Sequence, residues 1–271
     1  MSRSYTNQRY LKALNDRVLI FDGAMGTSLQ SMNLSASDFG GELTAGCNDY
    51  LVISAPEIVE KVHRSFLEVG VDVIETDTFR SNRLTLGEYG LKDQVFEVNF
   101  KGAQIARKVA DEFEQKSGLE KFVAGSMGPS GKLPSMDDPE LSNISFETLL
   151  DIYREQAIGL LKGGVDLLLI ETSQDILEIK AAILGAYKAF EETGIFIPIQ
   201  AQITLDTTGK MLLGTDIGAA LVILESLPID VIGLNCSTGP EHMRQPIQYL
   251  GENSTLPVSC IPNAGLPLNI N

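Results

Sequence analysis

The sequence predicts an α/β fold, a (β/α) barrel one unit short of the closed set of eight, and three observations point to it. Short runs rich in Val, Ile and Leu alternate with longer amphipathic stretches, the pattern of β-α units feeding a parallel sheet. Nearly every apolar run ends in polar residues, as expected where strand tips converge on a shared face. No Gly-x-Gly-x-x-Gly fingerprint follows the first run, which weighs against the rival architecture, an open doubly wound sheet. Periodicity alone does not separate the two.

Taken in order, the expected strands are Val18–Phe21, Val71–Glu75, Phe122–Gly125, Leu167–Glu171, Ile197–Ile203, Val231–Leu234 and Leu256–Cys260. The helices between them are expected at Pro56–Val69, Val95–Glu114, Phe146–Lys162, Ile176–Glu192, Ile217–Leu227 and Glu241–Leu250. Ser54 two residues before Pro56 reads as a cap and first turn, and Gly70 stops that helix where the next strand begins. Ser145 starts, and Gly163 with Gly164 ends, a later helix in the same manner. The segment from Gly70 to Thr76 is echoed by Gly164 to Thr172, and both copies place an acid, Glu75 or Glu171, at a strand's end. Such repetition is how a (β/α) barrel is built. Seven units are one short of closure: either the first helical segment or an irregular stretch hides a strand, or the chain stops before the eighth. An open barrel would expose the apolar edges of its first and seventh strands, so instability or self-association is expected.

The chain has 271 residues, enough for one large domain, and 44% of them are hydrophobic, enough for a substantial core. Thirty-six acidic against 21 basic residues give a formal charge of -15, the wrong sign for gripping nucleic acid or an anionic membrane. The N-terminus lacks an apolar signal region, and no apolar stretch is long enough to span a bilayer, so a cytoplasmic location is expected. Three widely spaced cysteines, Cys47, Cys236 and Cys260, do not suggest a disulfide framework.

The strand tips carry the chemistry. Asp22 opens the turn Gly23-Ala24-Met25-Gly26, where backbone N–H groups can approach an anion while the carboxylate offers a countercharge for an ammonium, a pair suited to an amino acid zwitterion. The same residues read equally as an Asp-Gly turn leaving a strand. Glu171 ends an apolar strand and must meet a cation, a donor or water; its place at a tip favours ligand binding over a structural ion pair, while for Glu75 the two readings stand level. Cys236 follows Asn235 at another tip, placed to act as a thiolate ligand or nucleophile, or simply as a small hydrophobe. His63 and His242 fall within helices and read as surface or packing residues.

Several longer motifs carry a resemblance. These are Asp22-Gly23-Ala24-Met25-Gly26-Thr27, Gly46 to Leu51, Glu75-Thr76-Asp77-Thr78-Phe79, Gly128-Pro129, Gly233-Leu234-Asn235-Cys236-Ser237-Thr238-Gly239-Pro240 and Pro262 to Pro267. In register from about Arg17 to Pro267, the chain resembles the homocysteine-binding domains of cobalamin-dependent methionine synthases, within the wider homocysteine S-methyltransferase family. The resemblance implies a (β/α)8 TIM-type barrel, with zinc held by three cysteine thiolates and homocysteine sulfur as fourth ligand. Zinc would stabilise the substrate thiolate for attack on a carried methyl group. It implies that Cys236 is the first zinc cysteine, that Asp22, Gly23, Ala24 and Met25 hold the amino acid head group with Asn235 beside them, and that Glu171 helps bind the amine.

Two departures qualify that pattern. The family's Gly-Gly-Cys-Cys-Gly pair on the eighth strand does not occur in the sequence, so residues 1–271 are expected to form a single homocysteine-binding barrel domain that is C-terminally incomplete and impaired alone. Asp77 stands where methionine synthases commonly show Asn. No Asp-x-His-x-x-Gly segment for cobalamin is found, so the donor, methylcobalamin, is expected on cobalamin- and folate-binding domains outside this chain. The alternatives are a non-catalytic amino-acid-binding module, a standalone methyltransferase using a sulfonium donor, and a site recruiting Cys47 or Cys260 as substitute zinc ligands.

Overall fold

The structure is a computed structural model that describes residues 4–265. In chain order its elements are α1 (Arg9–Asp16), α2 (Met25–Gln30), α3 (Leu51–Ser54), α4 (Pro56–Glu68), β1 (Val73–Glu75), α5 (Arg83–Gly87), α6 (Val95–Ser117), β2 (Phe122–Met127), α7 (Phe146–Gly163), β3 (Leu167–Ser173), α8 (Ile176–Thr193), β4 (Ile199–Ile203), α9 (Ile217–Glu225), β5 (Val231–Asn235), α10 (Pro240–Asn253) and β6 (Val258–Ile261). The strands form one sheet in the order β1-β2-β3-β4-β5-β6, every neighbour parallel. A doubly wound sheet reverses order at a switch point. This one does not, and its curled half-barrel with alternating helices settles the architecture in favour of the barrel.

Strand alternation divides the core in two. Val73, Phe122, Ala124, Leu167, Leu169 and Val231 turn to the inside of the curl and pack with Tyr10 and Ala13 of α1. Their neighbours Ile74, Val123, Leu168, Ile170, Ala201 and Ile232 face the helix layer. The helix α1 therefore closes the N-terminal end of the curl, with the Tyr10 hydroxyl donating to Gln200 Oε1 at 2.6 Å. Continuing the two-residue period toward the other end turns Glu75, Ser126, Glu171 and Asn235 inward as well. The site is thus a consequence of strand parity.

Of the seven expected strands, the first is reduced to a single bridge between Phe21 and Val73. The Ile20 carbonyl still accepts from Asp72 and Val73, and Asp22 N donates to Val73 O at 2.9 Å, so the segment lies parallel to β1 without a full ladder. Val18 and Ile20 are 80% and 56% exposed, as an apolar edge. The run expected from Ile197 begins at Ile199, because Pro198 has no N–H to donate and contributes only its carbonyl, to Leu168 N. Ser54 does not cap the helix it precedes: the cap position is Ala55, and the Ser54 hydroxyl donates back to Tyr50 O. Ser145 does cap α7, accepting from Thr148 N at 3.1 Å. Leu266 and Pro267, the end of the last family-like motif, lie outside the described residues.

The helix layer is close-packed at glycines. A Cβ on Gly185 of α8 would lie 2.6 Å from the Leu150 carbonyl oxygen of α7, whereas one on Gly251 of α10 would meet nothing within 4 Å. Gly185→Ala is expected to lower stability by about 1–3 kcal/mol through overpacking, while Gly251→Ala raises it by up to about 1 kcal/mol through helix propensity. Urea denaturation midpoints of the two variants check the pair, and equal shifts of the same sign would contradict the packing account.

Candidate active site

The inward residues at the C-terminal strand ends line a cavity of about 940 Å³, within the size range of small-molecule sites. The Asp22 carboxylate reaches across to the next strand, where the Glu75 backbone N–H donates to both its oxygens at 3.1 and 3.2 Å. Glu171 is held on each side: the Ser126 hydroxyl donates to Oε1 and Asn235 Nδ2 to Oε2 at 3.1 Å. Asn235 Oδ1 accepts from Thr172 N at 2.8 Å, so one amide fixes the ends of two strands.

Simple alternation would aim Cys236 at the helix layer. Instead the backbone turns left-handed at Cys236 and Ser237, and at Thr172 on the facing strand, each with φ +58°. Non-glycine residues in this region are strained by about 1–3 kcal/mol each and cluster at functional sites. The turn brings the Cys236 thiol onto the cavity wall, with Asn235 Nδ2 at 3.4 Å and Thr172 Oγ1 at 3.7 Å donating to the sulfur. Asp22, Gly23, Ala24, Met25, Glu171, Asn235 and Cys236 thus line one cavity.

The electrostatics are unbalanced. Asp22, Asp49, Glu75, Asp77 and Glu171 line the cavity with one basic residue, Arg80, whose guanidinium pairs with Glu88 at 2.8 Å. Burial, reinforced by Glu171 and opposed by the Glu75 N–H, pushes Asp22 well above the usual carboxylate range. Glu75 is raised in the same way by burial and by Glu171, Asp22 and Cys236. Burial lifts Glu171 to about 7 against the Ser126 hydrogen bond, and burial also raises the Cys236 thiol. A second acidic pair, Asp49 and Asp77, shows the same effect: burial takes Asp49 to about 6, and burial with Asp49 nearby holds Asp77 well above its usual range. Charged carboxylates in this number call for a cation from outside the protein.

The remaining candidates separate. Cys47 is buried in the cavity wall, its thiol pushed up to about 12 by burial and Asp49. Cys260 points to the helix layer, its sulfur 3.9 Å from Met243 Sδ, which removes it as a substitute metal ligand. Among the described residues no group of three His, Cys, Asp or Glu is placed to hold a metal ion. A zinc site needs four ligands in tetrahedral array, so the described residues do not make one by themselves. His63 is fully buried in α4 and burial takes it down to about 4; neither it nor His242 lines the cavity. Among the described residues no helix is long and apolar enough to cross a membrane.

Sequence reasoning gave no role to Ser126 and Thr172, although both stand at expected strand tips. Nor did it single out Phe66, Leu86 and Tyr89, which line the cavity from α4, from α5 and from the residues after α5. Their only signal would have been helix placement, and α5 has five residues, too few for a periodic pattern.

Together these features define an acidic cavity at the C-terminal face of a parallel (β/α) barrel, with the thiols of Cys47 and Cys236 in its wall. The sequence profile of the homocysteine S-methyltransferase family matches residues 19–271, and the chain belongs to that family. It is 45% identical over 258 residues to methionine synthase of Mycobacterium tuberculosis and 44% identical to that of Mycobacterium leprae. Each match covers 95% of this chain and 21% of the relative, so the chain spans about a fifth of the length of these proteins. In fold it is similar to the metallated form of the homocysteine methyltransferase MmuM from Escherichia coli, with a TM-score of 0.77 at 23% identity over 95% of this chain and 87% of that one.

Raised carboxyl pKa values have a measurable cost. A Glu171 pKa lifted from 4.5 to about 7 contributes stability that is full below pH 4.5 and lost as pH rises through about 7. The ligand-free protein is therefore expected to lose stability across that interval, and Glu171→Gln to lose less of it. Thermal melts at pH 4.5, 6 and 8 measure the difference; parallel profiles would contradict it.

Proposed function

We propose that this chain binds homocysteine and presents its thiol for methylation to methionine, as the homocysteine-binding unit of a methionine-synthase-type enzyme. The observation that carries this reading is the meeting of Asp22, Glu171 and Cys236 in one cavity. The ammonium of the amino acid lies between the Asp22 and Glu171 carboxylates, and its carboxylate rests on the Gly23-Ala24-Met25 backbone. Asn235 holds Glu171 in place through its hydrogen bond and borders the thiol end beside Cys236. The sulfur then attacks the donor's methyl carbon; the new S–C bond forms as the donor–carbon bond breaks, its electron pair stays with the donor, and the thiol proton leaves to solvent.

In this reading residues 1–271 act as one homocysteine-binding domain. Cys236 would be a zinc ligand, but the tetrahedral set that such an ion needs is not assembled among the described residues. The donor, methylcobalamin, and the cobalamin- and folate-binding domains that deliver it belong to segments beyond this chain, in keeping with its one-fifth span of the mycobacterial relatives.

Isothermal titration with homocysteine tests the reading. Binding is expected, and Asp22→Asn weakens it about tenfold or more through loss of a charged hydrogen bond; wild-type affinity in that variant would contradict the assignment. Equilibrium dialysis against zinc is expected to show weak, substoichiometric uptake by the isolated chain that Cys236→Ala abolishes. Tight one-to-one zinc binding would contradict the lone-thiolate account.

A further inference from the structure

We infer that Glu75 is a third carboxylate for the substrate's ammonium, a binding role beyond those of Asp22 and Glu171. The inference rests on the homocysteine reading above and deepens it. The three acids lie side by side at the cavity wall: Glu75 ends β1, its backbone N–H is bonded to Asp22, and β2 alone separates β1 from the β3 strand that carries Glu171.

What distinguishes the three is how far their acceptor capacity is already used. Both oxygens of Asp22 accept from the Glu75 N–H. Both oxygens of Glu171 are engaged, one by Ser126 and one by Asn235. Glu75 Oε1 is buried and has no hydrogen-bond partner, although its residue lines the cavity. A buried carboxylate oxygen without a donor is costly and calls for an explanation. No cavity-lining cation answers it, since Arg80 is paired with Glu88.

An ammonium has three N–H donors, and three carboxylates stand around the position the homocysteine reading gives it. The terminal torsion of a Glu side chain is soft and roughly two-fold, so either Glu75 oxygen can turn to meet the ligand. The same contact would relieve the mutual repulsion that raises Glu75 when the cavity holds no cation. A structural carboxylate is anchored from inside the protein through at least one oxygen, as Glu178 Oε1 is by Ser130 and Tyr153 although its Oε2 also lacks a partner.

The test is a comparison of two ligands on two proteins. Homocysteine and 4-mercaptobutanoate, which lacks the amino group, are titrated calorimetrically into the wild-type chain and Glu75→Gln. The variant is expected to bind homocysteine about tenfold or more weakly, the scale of one charged hydrogen bond, with its affinity for 4-mercaptobutanoate unchanged. Equal loss for both ligands, or no loss for either, overturns the inference. Wild-type protein that binds both ligands equally overturns the head-group reading itself, a different outcome from failure of Glu75 alone. Glu75→Asp, which keeps the charge, is expected to recover part of the discrimination between the two ligands. Glu75→Gln should melt no lower than wild type, since it removes a buried charge; a lowered melt with both affinities reduced assigns Glu75 to structure.

Discussion

Carboxyl groups packed into a low-dielectric strand end without a matching cation are the constraint on which the rest of this site depends. Coulomb repulsion and desolvation act in the same direction there, so Asp22, Glu75 and Glu171 cannot all stay charged while the cavity lacks a positive group. A protein can tolerate such an arrangement when a ligand brings the missing charge. An amino acid does so with its ammonium and, at the opposite pole, offers an anion to the glycine-rich turn after Asp22. Recognition and the destabilisation of the empty site are therefore two aspects of one charge imbalance.

The fold produces that imbalance by parity. Inward positions near α1 are apolar, as with Phe122 and Leu167, and those four residues further along become Ser126 and Glu171. One strand period thus serves a sealed bottom and a polar mouth. The thiol escapes the period, because Cys236 needs a left-handed backbone to face the cavity. The strain at Cys236, Ser237 and Thr172 is compensated locally by the Asn235 amide, which bonds to Thr172, to Glu171 and to the Cys236 sulfur.

Much of this was legible in the sequence, and what was not has identifiable causes. Buried parallel strands read as continuous Val, Ile and Leu runs, so six of the seven expected strands are present within a residue or two of their expected limits, and the Glu75 and Glu171 echo correctly marked two inward tips. The first run failed to become a strand because Val18–Phe21 meets only the three-residue β1. Helices α2, α3 and α5 are four to six residues long, below the length at which periodicity speaks, and α1 is held by tertiary contacts such as that of Tyr10 with Gln200. Nothing local announces a left-handed Thr or Cys, since Gly and Asn are the residues that ordinarily signal that conformation. Ser54 misled because a hydroxyl near a helix start has two backbone targets, and it took the carbonyl behind it.

The central claim, that the empty cavity holds protons which a ligand's ammonium displaces, is tested most directly by counting protons. Homocysteine is titrated calorimetrically at pH 7 with a chelator present, so that the thiol keeps its proton, in two buffers of different ionisation enthalpy. With Glu171 poised at about 7, an incoming cation lowers the carboxyl pKa values, and the account predicts net proton release. Binding with no proton exchange, or with proton uptake, would contradict it.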